Sequence, residues 1–272
     1  MNEALIGAIV ARLERDEPSL AKAFAASAAE VGVRYVAIDD LLPAEWAEQV
    51  ASKFPQPHQM RLMDSFRERK HTSKDFDAFD PLMKDITFAL QDERVVRVVE
   101  RITGIAQQVP DPSLYAGGLS AMTRGHFLGP HIDNSHEGSR RLYRTLNLLY
   151  YVTPGWQRER GGHLELWDTA VRRNVVIESR FNRLALMETT PTSWHSVCPV
   201  VGEGVRRCVS NYYFSPQSPT GRPYFNVTSF SARPEQPWLR LLARADGLAR
   251  NALRKLVPGG LGKRDVYEGP KA

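Results

Sequence analysis

The chain has 272 residues, 42% of them hydrophobic and 25% charged, which is the balance of a folded globular protein and excludes a chain that is disordered throughout. A net charge of +5 and a pI near 9.3 are mildly basic and solubilising; no nucleic-acid partner is expected from them. No apolar run is long enough for a bilayer crossing, and the acids Glu3 and Glu14 in MNEALIGAIVARLERDEPSLAKAF argue against a signal peptide, so a cytoplasmic location is expected.

The first thirty residues read as helical, with Ile6, Ile9, Val10 and Leu13 on one face, a break at 16–19, and a second segment from Leu20 to Ala29. A short strand, Tyr35 to Ile38, leads through Asp-Leu-Leu-Pro into a helix starting near Ala44, with Pro43 suited to its first turn. Residues 57–80 are charged and without a clean period, and read as a long loop or lid whose Arg61, Arg67, Arg69, Lys70 and Lys74 suit an anionic or carrier-bound substrate. Residues 81–105 return to helical character through Leu82, Ile86, Leu90, Val95, Val98, Val99 and Ile102.

From Pro110 the pattern changes to eight short β segments separated by turn signals: SLYAGGLSAMT, GPHIDNS, RTLNLLYYVTP, GGHLELWD, NVVIE, RLALMET, TSWHSVCPV and RCVSNYYFS. Such spacing predicts an antiparallel sandwich or barrel. The fold class is therefore mainly β with flanking helices, an α+β arrangement read as one domain. Residues 1–109 give N-terminal strand and helical support, 110–232 the barrel, and 233–272 a C-terminal helix and tail. In that tail Trp238, Leu241, Leu242, Ala245 and Leu248 share one helical stripe while Arg240, Arg244, Arg250, Arg254 and Lys255 gather opposite. The stripe suits packing on the barrel; the basic face over 236–257 also suits peripheral contact with anionic lipid. Cys198 and Cys208 are expected as free thiols.

The chemistry gathers in H-x-D of HFLGPHIDN and the lone His of TSWHSVCPV. His131 and Asp133 lie i, i+2 on one face of an extended strand, and His195 must arrive from another strand. Two imidazoles and one carboxylate are the set that holds Fe(II) on one face and leaves the other face open.

With the strands in this order, HFLGPHIDNS, RTLNLLYYVTPGWQRERGGHLELWD and TSWHSVCPVVGEGVRRCVSNYYF resemble the 2-oxoglutarate- and Fe(II)-dependent oxygenases, within them the prolyl 4-hydroxylase-like group. The resemblance covers about residues 110–215, more weakly YVAIDDLLP, and rests on four ordered marks. These are the H-x-D, a Tyr-Tyr strand leading into a Gly-Gly strand, W-H-x-x-x-P-V, and an Arg strand ending in aromatics.

The resemblance implies a double-stranded β-helix, or jelly roll, with His131, Asp133 and His195 as iron ligands and catalytic centre. It also implies 2-oxoglutarate as co-substrate, with ascorbate as a reductant to consider. The family's halogenases lack the carboxylate that stands here as Asp133, which favours hydroxylation. The distal carboxylate of 2-oxoglutarate calls for a planar, permanently charged guanidinium. Arg206 and Arg207 both qualify, yet neighbouring strand residues point to opposite faces, so one alone should enter the barrel. Aligning Tyr212-Tyr213-Phe214 and Cys208 with the family's aromatic strand selects Arg206, the preferred choice; aligning V-S-N with collagen-type hydroxylases selects Arg207. Tyr151 matches a tyrosine that donates to the same carboxylate in hypoxia-type prolyl hydroxylases, and Asn147 with Tyr115, placed on the first barrel strand, could complete the pocket. His136 and Arg140 are candidates to touch substrate; Trp167 and Trp194 are read as packing.

The expected activity is hydroxylation of an unactivated C–H with release of succinate and CO2; the substrate is a small molecule or a peptidyl or carrier-bound group. A cupin-like metal isomerase or hydrolase is the rival reading, discriminated by its lack of need for a buried Arg–Tyr pair. A non-catalytic, membrane-associated barrel is the third, and an intact triad argues against it.

Overall fold

The computed structural model describes residues 2–115, 117–240 and 266–267. Six helices precede the barrel, interrupted by three strands: α1 (Asn2–Arg15), α2 (Glu17–Ala26), α3 (Ala28–Val31), β1 (Tyr35–Ile38), α4 (Ala44–Lys53), β2 (Arg61–Asp64), β3 (Glu68–Ser73), α5 (Pro81–Ala89) and α6 (Glu93–Thr103). The strands that follow are β4 (Val109–Pro110), β5 (Gly118–Met122), β6 (Phe127–Ile132), β7 (Tyr143–Tyr151), β8 (Leu164–Trp167), β9 (Asn174–Ile177), β10 (Arg183–Glu188), β11 (His195–Val197), β12 (Arg206–Ser215) and β13 (Ser229–Phe230).

The helices form because their apolar residues repeat at helical spacing and their ends are capped. In α6 Val95, Val98, Val99 and Ile102 are buried, Asp92 accepts from the Arg94 amide at the start, and Gly104 closes the end at φ 66°. Asp80 caps α5 in the same way through the Leu82 amide. Each fully buried aliphatic side chain contributes about 1.5–3 kcal/mol, so this layer is held by burial rather than by helix propensity.

The strands are antiparallel and run in the order β1-β10-β7-β12-β5-β3-β6-β11-β8-β9, a double-stranded β-helix nearly closed on itself. The alternation of β7 shows how the layers are assigned. Leu146, Leu148 and Tyr150 face outward and pack, with Leu184, Leu186, Val209 and Tyr213, against the helices; Asn147 and Leu149 line a cavity on the inner side. The Tyr213 hydroxyl donates to the Leu90 carbonyl and ties β12 to the end of α5. All eight β segments read from the sequence are strands here.

Residues 57–80 are not the loop expected. They carry the β2–β3 hairpin, and β3 joins the two halves of the barrel by pairing with β5 and then β6 along the edge opposite β2. The strand escaped notice because Glu68, Lys70 and Thr72 face the cavity and not a packed core, so no hydrophobic alternation marks it. Cys198 and Cys208 are free thiols. Among the described residues no helix is long and apolar enough to cross a membrane, and most of the basic C-terminal helix read over 236–257 lies outside them.

Candidate metal centre and its carboxylate pocket

His131 and His195 are direct cross-strand partners of β6 and β11, a register that brings their rings to a centroid separation of 4.0 Å. Asp133 follows the end of β6, its Oδ1 3.5 Å from His131 Nε2 and its Oδ2 3.5 Å from His195 Nε2. One donor atom from each of the three lies within 4.8 Å of the others, in the cavity wall.

The donor chemistry fits a divalent metal. Each imidazole Nδ1 sits 3.0 Å from a carbonyl two residues back, Gly129 for His131 and Ser193 for His195. A carbonyl can only accept, so Nδ1 carries the proton and Nε2 keeps its lone pair. Burial, with the neighbouring His131, holds the His195 ring down to about 4, so it is neutral at pH 7. The carboxylate is oriented in turn: Asn147 Nδ2 donates to Asp133 Oδ2 at 2.8 Å, and Thr189 Oγ1 donates to Asn147 Oδ1 at 3.1 Å, which fixes the amide. These residues would hold Fe(II) through two nitrogens and one oxygen, with the rest of its coordination open.

Arg144 stands behind Asp133. It is fully buried, its Nη1 is 3.2 Å from Asp133 Oδ2, and its guanidinium packs over the Tyr212 ring at 4.2 Å. Strand parity from Asn147 would send Arg144 outward with Leu146 and Leu148. A β-bulge in the β7–β12 ladder intervenes: Tyr213 pairs with Leu146, but Phe214 pairs with Arg144, so Thr145 is the extra residue and the side chain is re-aimed inward.

The cavity, of about 240 Å³, runs from the triad to Arg206. Arg206 is 3% exposed and pairs with no carboxylate among the described residues. Its Nε donates to the Gly162 carbonyl at 3.1 Å, and its guanidinium lies 4.8 Å over the Tyr151 ring. Tyr151 is fully buried, and its hydroxyl lies beside Ser179 and Arg206 without closing a well-formed hydrogen bond. A buried cation without a counter-ion next to a buried hydroxyl without a partner is costly unless an anion fills the gap. That is the environment a distal carboxylate of 2-oxoglutarate needs.

The Gly-Gly pair shapes this end. Gly161 and Gly162 have φ of +71° and +73°; a Cβ on Gly161 would meet the Pro199 carbonyl at 2.1 Å, and one on Gly162 would press on Val200 and the Arg206 stem. His163 holds the corner, its Nδ1 accepting from the Ser179 amide and its Nε2 donating to the Arg158 carbonyl.

The structure thus gathers His131, Asp133, His195 and Arg206 around one cavity, with Tyr151 buried against Arg206, and gives the other expected residues a different role or place. Arg207 points to the opposite face of β12 and donates to the Ala51 carbonyl near the end of α4, as strand alternation requires. Asn147 lines the cavity but is spent on Asp133 rather than on the Arg206 end. Tyr115 precedes β5 in a loop, its amide bound to Asp111 and its carbonyl to Lys74, and is not in the cavity wall. His136 and Arg140 belong to an aromatic cluster with Tyr143 and Phe225, also outside that wall. Sequence reasoning missed Arg144, and missed Tyr212, Thr228 and Phe230 of the cavity wall. The alternation of β12 could have placed Tyr212 inward with Arg206 and Cys208.

Residues 117–215 match the model of the 2OG-Fe(II) oxygenase superfamily. The curated prolyl 3-hydroxylase OGFOD1 of Mus musculus is 30% identical over 99 residues, covering 34% of this chain and 17% of the relative, so the chain spans only a small part of that protein. A Trichoplax adhaerens prolyl hydroxylase solved with a hypoxia-inducible-factor peptide superposes with TM-score 0.51 at 18% identity, over 74% of this chain and 91% of that one. A Pseudomonas putida prolyl-4-hydroxylase superposes with TM-score 0.54 at 14% identity, over 72% and 98%. Residues 117–215 are thus similar to the 2OG-Fe(II) oxygenase superfamily, and the relatives named here are prolyl hydroxylases.

Proposed function

We propose that the protein is a 2-oxoglutarate- and Fe(II)-dependent dioxygenase that hydroxylates an unactivated C–H bond. The observation that carries this reading is the sharing of one cavity by a His-Asp-His triad and a buried, unpaired Arg206 with its Tyr151 neighbour. A metal isomerase or hydrolase on the same barrel has no use for the second feature.

The chemistry an iron–2-oxoglutarate pair supplies is oxidative decarboxylation to succinate and CO2 coupled to oxygen insertion into a C–H bond. The chain's own residues bind and orient. His131 and His195 offer Nε2 while their Nδ1 protons stay on backbone carbonyls, and Asn147 with Arg144 keeps Asp133 ionised and fixed. Arg206 and Tyr151 anchor the far carboxylate and so set the register of the co-substrate against the triad. No side chain has to move a proton during the oxidation.

The mouth is polar, with Glu68 and Lys70 of β3 paired at 3.0 Å beside Thr72, which suits a peptide or a polar small molecule. The relatives' names make peptidyl proline the first substrate to screen. Free thiols and a ferrous site fit a reducing, cytoplasmic compartment.

Anaerobic addition of Fe(II) and 2-oxoglutarate should produce the visible charge-transfer band of the chelate, and a substrate screen should then release succinate. Succinate formation retained in His131→Ala or Asp133→Ala overturns the assignment.

A further inference from the structure

Strand β6 carries His131 and leads into Asp133, so its rigidity is the rigidity of the metal geometry. One edge of it is covered by β11. On the other edge β3 pairs only with Phe127 and Leu128, short of the ligands. The ligand half of that edge is covered by a segment outside the matched domain: β13 pairs Ser229 with Ile132 and Phe230 with His131.

The segment is fastened at both ends. At its start Asn226 and Ser135 exchange backbone and hydroxyl hydrogen bonds, and Asn226 Nδ2 donates to the Asp133 carbonyl at 2.8 Å. Beyond β13 the Ser231 amide donates to the Pro130 carbonyl at 2.8 Å. At its far end Arg233 forms a two-pronged ion pair with Glu165, 5% exposed on β8. Ser196 and Trp167 continue that network, Ser196 Oγ donating to Glu165 and Trp167 Nε1 to Ser196 Oγ. In between, the Phe230 ring stacks on the His131 ring, 5.4 Å between centroids and 23° between planes, under the Arg67 guanidinium at 5.3 Å. Thr228 and Phe230 line the metal cavity.

We propose that residues 226–233 form a strap that positions the metal ligands: it completes the open edge of the His131–Asp133 strand, with Phe230 the positioning residue that fixes the His131 ring and walls the cavity from water. The role as a metal-positioning device rests on the function proposed above; the mechanical role does not. An unpaired strand edge leaves its backbone groups to water and lets the strand fray. Supporting groups around metal ligands are worth 10–100-fold in metal affinity, and the strap supplies such support to two of the three.

The test uses the full chain as Phe230→Ala, Phe230→Tyr and the double variant Glu165→Gln/Arg233→Met, which unlatches the far end without leaving a buried charge unpaired. In metal-free protein, amide exchange over residues 131–135 should quicken about tenfold in Phe230→Ala and in the double variant, with β7 and β10 unchanged. Co(II), used alone as the probe and followed by visible absorption, should bind about tenfold more weakly to Phe230→Ala. Phe230→Tyr, which keeps the ring, should restore both. Exchange over 131–135 that stays at the wild-type rate, or rises equally in β7 and β10, overturns the strap. A wild-type protein that takes up no Co(II) counts against the metal reading, while the exchange still decides the mechanical claim.

Discussion

Arg144 Nη1 lies 3.2 Å from Asp133 Oδ2, yet all three guanidinium nitrogens are buried without a well-formed hydrogen bond. The contact therefore acts through charge. Burial alone would push the Asp133 carboxyl up; Arg144, followed by His195 and His131, overrides it and holds the group well below the usual carboxylate range. A ligand kept ionised in a buried site is ready for a cation.

Arg144→Met should raise the Asp133 pKa in the metal-free protein. The sign follows from linkage: a depressed folded-state pKa adds stability above the unfolded value of about 4, and that stability is lost as pH falls through the folded one. Each unit of upward shift removes about 1.4 kcal/mol of that contribution, so the variant should unfold at a higher pH on acidification. Carbon-detected titration of the Asp133 carboxyl gives the direct reading. An unchanged titration would show that Arg144 does not govern the charge of the ligand.

Arg206 and Arg207 differ by one residue and by the whole thickness of the sheet. Hydrogen bonds to charged groups are worth roughly 1.5–3 kcal/mol each, so Arg206→Met should raise the Kd for 2-oxoglutarate by about 100-fold. Arg207→Met removes a contact with the Ala51 carbonyl outside the cavity and should leave that Kd within about twofold. The comparison is read by anaerobic titration of the Fe(II) protein. Equal losses in both variants would refute the assignment of the pocket.

The contrast also shows how far the chain could be read before folding. Period-2 alternation was enough to say that only one of these arginines enters the barrel, and the ordered motifs were enough to name three residues whose donor atoms the fold brings within 4.8 Å of one another. Arg144 was beyond reach, because its inward direction depends on the bulge at Thr145, and a bulge is a pairing error between β7 and β12 that neither strand shows by itself. Strand β3 was hidden for a different reason. Its inner face meets a cavity rather than a packed core, so Glu68-Arg69-Lys70 reads as a charged loop. Phe230 sits beyond the family's segment, where two paired residues carry no periodic signal.

Tyr151 makes function and stability pull in opposite directions. Burial pushes its phenol up, so it is a donor at any working pH, and its hydroxyl has no settled partner. An unsatisfied buried hydroxyl costs about 1–3 kcal/mol. Tyr151→Phe should therefore raise the stability of the ligand-free protein by about 1 kcal/mol in urea unfolding, while weakening 2-oxoglutarate binding roughly tenfold. A variant that loses stability and keeps its affinity would mean that the hydroxyl serves packing and not the co-substrate.

His195 gives the site its own pH signature. Burial, then the neighbouring His131, lowers its pKa to about 4, against the opposing pull of Asp133 and the Ser193 carbonyl. The unfolded chain regains a value near 6.5, so between about 6.5 and 4 it binds a proton that the folded chain refuses. Stability from this residue is complete above pH 6.5 and drains away as pH falls through that window, by an amount on the order of 3 kcal/mol. His195→Gln keeps a neutral polar side chain and abolishes the titration. In metal-free protein, unfolding free energies taken from pH 7 to 4.5 should fall more steeply for the wild type than for His195→Gln. Parallel curves would mean that the ring is solvated and charged, and hence not held as a neutral ligand. Bound metal should steepen the wild-type curve further, because protons then compete with the cation for the same Nε2.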